Sequence, residues 1–247
     1  MPTPEYSIII PAYNESERIR AGLDQVLDFV ARQGWKAEII VVNDGSRDQT
    51  ADIVREYAAR HPSVRLVENP GNRGKGYSVR NGMMSATAEL RLFTDADLSA
   101  PIGEAPKLMS ALRGGADVAI GSRWLESALQ TERQSPFRQL AGRIFNLLLR
   151  VVLGLKYKDT QCGFKAFTRR AAEAIFPRQR IERWGFDPEI LFLAKKYGLR
   201  STEVPVRWAH DERSKISPLR DGTRMFGELL KVRWNDLRGH YQRKPVP

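Results

Sequence analysis

Two hydrophobic periods alternate along the first half of the chain. Tyr6–Pro11 (YSIIIP) and Glu38–Asn43 (EIIVVN) are short, nearly continuous apolar runs. Strands buried on both faces of a parallel sheet have this pattern. Val64–Glu68, Leu90–Thr94 and Val118–Ile120 also read as strands. Between the first two, Ile19, Leu23, Val26, Leu27 and Val30 recur at helical spacing until Gly34 closes the helix. Asn14-Glu15-Ser16-Glu17 supplies helix-start chemistry for it. Further helices are expected over Asp48–Ala59, from Gly71–Gly76 (GNRGKG) through Ala86, and from about Gly103 to Arg113. Strands alternating with helices predict an α/β fold: a mostly parallel sheet flanked by helices. After Arg123 the alternation stops. There Phe137–Leu155 and Thr223–Leu237 carry wide apolar faces interrupted by arginine and lysine. No repeat, low-complexity tract or Pro/Gly-rich linker divides the chain, so residues 1–247 read as one domain, with a Rossmann-like half over 1–123 and an elaborated half over 124–247.

Composition changes this picture little, and charge more. With 247 residues, 42% apolar and 28% charged, the chain is ordinary for a globular protein with a sizeable core. A single cysteine, Cys162, forms no internal disulfide and favours a reducing compartment. The start, MPTPEYSIIIP, lacks the basic and apolar regions of a signal peptide. The longest apolar run, Phe145–Leu155, is short of the roughly 20 residues that span a bilayer and contains Arg150. A net charge of +11 suits nucleic acid, an anionic membrane surface or phosphorylated substrates. No block of basic residues or nucleic-acid module supports the first of these.

Chemistry gathers where the strands end. In an open α/β sheet ligands bind at the carboxyl ends of the strands. Four such ends carry polar clusters: Tyr13-Asn14-Glu15, Asp44-Gly45-Ser46, Asn72-Arg73-Gly74-Lys75-Gly76 and Asp95-Ala96-Asp97. Each alone also suits a cap or a turn. Together they suit a nucleoside diphosphate, with Tyr13 covering a base, Asp44 accepting from its edge and the glycines letting backbone approach. Asp95 and Asp97 are hard oxygen ligands of the kind that hold Mg²⁺ or Mn²⁺ beside phosphates, although the same pair suits a cap for the helix near Pro101. The turn after the first strand lacks the glycines of a dinucleotide site, and Gly71–Gly76 does not match a P-loop. The histidines His61, His210 and His240 show no metal-ligand spacing.

The ordered strings PAYNES, VVNDGSRDQT, NRGKGYSVRNG and DADLS resemble the family 2 glycosyltransferases of the GT-A fold, and the likeness covers nearly the whole chain. In the second half GSR at 121–123, DTQCGFK at 159–165, RWGFD at 183–187 and EVPVRW at 203–208 resemble dolichyl-phosphate β-glucosyltransferases. The resemblance implies a nucleotide-sugar half over 1–123 and an acceptor half over 124–247. It implies that Pro11, Tyr13, Glu15, Asp44 and Lys75 bind the nucleotide sugar, with Asp95 near the ribose or sugar. Asp97, with Asp95 beside it, would hold Mg²⁺ or Mn²⁺. Arg123 would face the acceptor phosphate with Arg138 beside it, and Lys215 would approach the donor diphosphate. The family often has Gln two positions after the metal aspartate, where Ser99 stands here.

What the resemblance implies is an inverting, metal-dependent transfer of glucose from UDP-glucose to a polyprenyl phosphate, giving a β-linked product. A phosphate monoester with a second pKa of about 6 is already ionised at neutral pH, so a strong base is unnecessary. If a base acts, Asp187 is the candidate, and Asp187-Pro188-Glu189 reads equally as a helix start. Transfer of mannose from GDP-mannose is the alternative. A non-catalytic, basic nucleotide-sugar-binding protein is a third. A lipid acceptor makes the two amphipathic stretches candidates for an interfacial position, peripheral at the cytoplasmic face of a membrane, while periodicity alone suits core helices of the domain at least as well.

Overall fold

The computed structural model describes residues 3–126, 147–209 and 218–242. All five of these segments are strands: β1 (Tyr6–Ala12), β2 (Ala37–Asn43), β3 (Val64–Glu68), β4 (Leu90–Phe93) and β5 (Val118–Ser122). Two more, β6 (Lys165–Thr168) and β7 (Ser201–Pro205), complete a seven-stranded sheet in the order β3-β2-β1-β4-β6-β5-β7. Only β6 runs against its neighbours, antiparallel to β4 and β5; the other pairings are parallel.

Helices α1 (Ile19–Gln33), α2 (Thr50–Arg60), α3 (Lys75–Ser85) and α4 (Ala105–Arg113) connect the strands of the first half. α5 (Arg169–Ile175), α6 (Phe186–Lys196) and α7 (Pro218–Leu237) belong to the second. Side chains alternate across each strand. Ile8 and Ile10 therefore join Leu23, Val54 and Leu108 in one core layer, while Ile9 joins Val79, Ile190 and Leu229 in the other. Each such side chain contributes roughly 1.5–3 kcal/mol on burial. Ala12 lies opposite Asn43, and Asn43 opposite Glu68, so these parallel strands finish together at one edge.

Several expectations shift. The strands β6 and β7 carried no strand signal: KAFT opens on Lys165, which is fully buried, and in STEVP only Val204 is buried. Asn14 is not a cap. It adopts φ 53°, its N–H donates to Ser46 Oγ (3.0 Å), and its Oδ1 accepts from the Arg47 N–H (2.8 Å). The supposed start of α1 is thus a stitch between the loops after β1 and β2, and the helix begins at Ile19. Asp48 stands likewise outside α2, accepting from the N–H groups of Ser16 and Thr50 (both 3.0 Å). Burial opposes its charge, but the donors of Thr50 and Ser16 win and hold its pKa at about 2. Of the stretch Phe137–Leu155, residues 137–146 lie outside the described residues and 147–153 are helical. No helix among the described residues is long and apolar enough to cross a membrane.

The second half is locked by a buried acid. Glu189 of α6 accepts from the N–H groups of Arg180 (2.9 Å) and Ile181 (2.8 Å) and from the Tyr241 hydroxyl. Burial pushes its pKa up to about 7, against the lowering influence of these donors and of Arg80. Unfolding therefore releases its proton once the pH exceeds the ordinary carboxylate value, and stability falls as pH rises from about 4.5 to about 7. Glu189→Gln should flatten this fall by up to roughly 3 kcal/mol. Urea unfolding of both proteins at pH 5 and pH 7.5 measures it, and parallel pH profiles would refute it.

Candidate active site

The C-terminal edge of the parallel strands assembles the polar clusters. After β2, Asp44 is buried, and its carboxylate organises the glycine-rich loop. Oδ1 accepts from Asn69 Nδ2 (2.8 Å) and the Arg73 N–H (2.9 Å), and Oδ2 from the Gly74 N–H (2.7 Å). Gly74 has φ 109°, and a Cβ there would lie 2.6 Å from the Glu182 carbonyl oxygen. Only glycine suits both the conformation and the approach. The Arg73 guanidinium pairs with the Glu182 carboxylate, which ties the loop to residues 181–185. Gly185 in turn donates its N–H to Glu228 of α7 (2.7 Å).

Lys75, the first residue of α3, places its ammonium against Asp95 and 5.5 Å from the Trp184 ring centroid. Burial disfavours its charge, yet Asp95 and Asp187 outweigh that and raise its pKa above the usual lysine value. Asp95 also packs on Gly163, where a Cβ would enter its carboxylate. Asp97 is held differently. Its Oδ1 accepts from the N–H and hydroxyl of Ser99 (both 2.9 Å), and Oδ2 lies 4.0 Å from Arg18 Nη1. Leu98 between them has φ 48°, a conformation that costs a leucine roughly 1–2 kcal/mol. Pro101, before the 3₁₀ turn that leads into α4, receives no side-chain cap, so neither aspartate serves as one.

Arg123, just past β5, forms a side-on pair with the buried Asp159: Nε to Oδ2 is 2.7 Å and Nη2 to Oδ1 is 2.8 Å. Trp208 lies 5.4 Å from the guanidinium carbon. Asp187 occupies the first turn of α6, capped by Gly185, and forms a buried ion pair with Lys165. Asp187 thus stands at a helix start, as one of its two readings expected. Tyr13 is exposed beside half-buried Pro11, and Glu15 is bound by Arg18 Nη2 (2.9 Å). Arg138 and Lys215 lie outside the described residues. Burial pushes the Cys162 thiol up to about 12, which makes it a packing group.

Sequence reading passed over Arg18, Asp159, Lys165 and Trp184 as individual residues. The strings DTQCGFK and RWGFD contained three of them, and nothing in periodicity singles out which members face the strand ends.

The edge thus holds a glycine-rich loop opening a helix, two carboxylates after β4 and cations on α3, β5 and β6. That arrangement suits a ligand with several negative charges. The chain belongs to glycosyl transferase family 2, whose model matches residues 7–176. It is 40% identical over 223 residues to a dolichyl-phosphate beta-glucosyltransferase of Trichomonas vaginalis, covering 85% of this chain and 66% of that protein. It is 38% identical over 245 residues to the enzyme of that name from Drosophila melanogaster, covering 94% of this chain and 75% of the relative. For the human one the identity is 33% over 254 residues, with 98% and 78% covered. In fold it is similar to glucosyl-3-phosphoglycerate synthase of Mycobacterium tuberculosis crystallised with Mn²⁺ and UDP-glucose, with a TM-score of 0.69 at 20% identity over 93% of this chain and 79% of that one.

Asp44 gives the first test of the site. Asp44→Asn puts an amide NH₂ among donors that need acceptors, which costs on the order of 1–3 kcal/mol. Thermal melting should fall accordingly, and amide exchange should quicken at Arg73 and Gly74. An unchanged melting temperature would show that the loop stands without Asp44.

Proposed function

We propose that this chain is an inverting glucosyltransferase that moves glucose from UDP-glucose to a polyprenyl phosphate of the dolichyl type. The observation that carries the reading is the gathering of Lys75, Asp95, Asp97, Arg123 and Asp187 around one sheet edge, beside a glycine-rich helix start. The relatives' names supply the sugar and the lipid.

The carboxylates fit a hard cation shared with substrate. Asp97 has one oxygen committed to Ser99 and the other bordered by Arg18 at 4.0 Å, with Asp95 two residues away. No group of three His, Cys, Asp or Glu converges among the described residues, and diphosphate oxygens and water are ligands such a cation readily takes. Asp97 and Asp95 would hold Mg²⁺ or Mn²⁺, which stabilises the charge developing on the leaving diphosphate. Lys75 adds a fixed positive charge close by; Tyr13, Pro11, Glu15 and Asp44 would line the nucleotide side, and Lys215, outside the described residues, would serve the diphosphate. Arg123, with Arg138, would orient the acceptor phosphate. Attack of its oxygen on the anomeric carbon, opposite the leaving diphosphate, inverts an α-linked donor to a β-linked product.

The decisive measurement is a donor panel: purified protein, Mn²⁺, farnesyl phosphate and UDP- or GDP-linked sugars. UDP-glucose should be the preferred donor, and Asp97→Ala should abolish transfer and Mn²⁺-dependent UDP binding with the fold intact. Preference for GDP-mannose would make the chain a mannosyltransferase, and no transfer at all a binding protein.

A lipid acceptor implies a peripheral position on a membrane, at its cytoplasmic face. Two apolar ridges support this. Val151 is 72% exposed beside Leu147 and Leu148, and Leu237 is 82% exposed beside Trp234 and Leu230. They flank α6, where Lys195 donates to the Gly154 carbonyl and Lys196 pairs with Asp236 (both 2.6 Å). Exposed Lys231, Arg233 and Arg238 lie along the second ridge. The double variant Val151→Ser, Trp234→Ser should lose most of its sedimentation with phosphatidylserine vesicles and retain transfer to soluble farnesyl phosphate. Sedimentation equal to wild type would reject this surface.

A further inference from the structure

Asp159 does more in this structure than neutralise a neighbour. Its Oδ2 accepts from Arg123 Nε (2.7 Å) and from the Arg123 backbone N–H (3.0 Å), while Oδ1 accepts from Arg123 Nη2 (2.8 Å) and the Gln161 N–H (3.2 Å). The side-chain pair therefore fixes two N–H groups and the plane of the guanidinium. Asp159 is itself fixed. Glu203 on β7 accepts from the N–H groups of Lys158 (2.8 Å) and Asp159 (2.9 Å). β7 pairs with β5 in a register that sets Ile120 opposite Glu203 and Ser122 opposite Pro205. The two ends of the chain of contacts thus stand on adjacent strands.

The pair is also asymmetric. The Asp159 side chain is 1% exposed and that of Arg123 is 20% exposed. A surface ion pair leaves both partners in water and contributes little. Here the carboxylate is sealed inside, and the cation is the member turned to the sheet edge. Burial by itself would disfavour the Asp159 charge, but Arg123 outweighs it and keeps the carboxyl below its ordinary value, so the pair is ionic through the neutral range.

We propose that Asp159 is a positioning residue for phosphate recognition: Glu203 sets Asp159, and Asp159 aims the Arg123 guanidinium at the phosphate of the acceptor. The proposal rests on the reading of Arg123 as the acceptor-facing cation, and adds two residues that act only through it. It accounts for an acid buried in an acceptor half that must gather positive charge. A freely rotating arginine loses side-chain entropy on binding, whereas a held fork has lost it already.

Calorimetric binding of farnesyl phosphate, with UDP and Mn²⁺ present, tests this apart from turnover. Asp159→Asn should weaken that binding by about tenfold or more, and raise the acceptor KM with it. UDP affinity and the UDP-glucose KM should stay within about twofold. Glu203→Gln, which leaves both Asp159 and Arg123 in place, should give a smaller change in the same two quantities and carries the test if Asp159→Asn fails to fold. In a cycle with Arg123→Lys, the double variant should bind no more weakly than Arg123→Lys alone, because Asp159 acts through Arg123. Additive losses, equal damage to donor and acceptor, or unchanged acceptor binding in both Asp159→Asn and Glu203→Gln would overturn the proposal. If the wild type binds farnesyl phosphate but transfers no glucose, the proposed activity falls and the Asp159 assignment stands. If it transfers glucose and both variants behave as wild type, the reverse holds.

Discussion

Charge balance at a water-poor sheet edge is the constraint from which the rest of the site follows. Parallel strands bring their carboxyl ends together, and the residues that follow them here are largely acidic. An unpaired buried carboxylate costs several kcal/mol, so each needs donors. Asp44 draws the N–H groups of Arg73 and Gly74, Asp95 takes Lys75, Asp159 takes Arg123 and Asp187 takes Lys165. These pairings shape the loops. The glycine-rich segment wraps inward because its backbone supplies what Asp44 lacks. Residues 181–185 follow, pinned by Arg73 on one side and Glu228 on the other. α7 is thereby coupled to the glycine-rich segment through residues 181–185.

The first half of this architecture was legible because its strands, β3 at the sheet's end apart, are buried on both faces. Ile8, Ile9 and Ile10 all pack, so the run is apolar throughout, and its ends mark where the site must be. The same logic fails at β6 and β7. β6 runs antiparallel between β4 and β5, and its first residue is a lysine made tolerable by Asp187 and the Cys162 carbonyl. Such a partner is invisible in a local window. β7, at the end of the sheet, leaves most of its side chains partly exposed and carries Glu203 for a hydrogen-bonding purpose that only the folded chain reveals. Asn14 misled for a related reason: cap chemistry and loop-stitching chemistry use the same short polar side chains.

Asp95 and Asp97 show how little spacing says about role. They sit two residues apart after one strand, yet one closes an ion pair with Lys75 against Gly163, and the other bends onto Ser99 through a leucine at positive φ. Backbone strain of that kind persists where the surroundings over-determine it, and Leu98 is buried in the core. The core thus holds the loop that presents Asp97. A hydroxyl at position 99 serves to orient Asp97.

The pairing of Asp187 with Lys165 bears on which nucleophile the site can serve. Asp187 Oδ1 is occupied by the buried Lys165 ammonium. A sugar hydroxyl needs a base within reach to lose its proton as it attacks. A phosphate monoester needs none, since its oxygen is already ionised near neutral pH. What it needs is positive charge, and the edge supplies that from Lys75 and Arg123, each anchored by a carboxylate that turns it in a fixed direction. Cations anchored in this way are arranged to hold negatively charged groups, which is what the proposed phosphate acceptor requires.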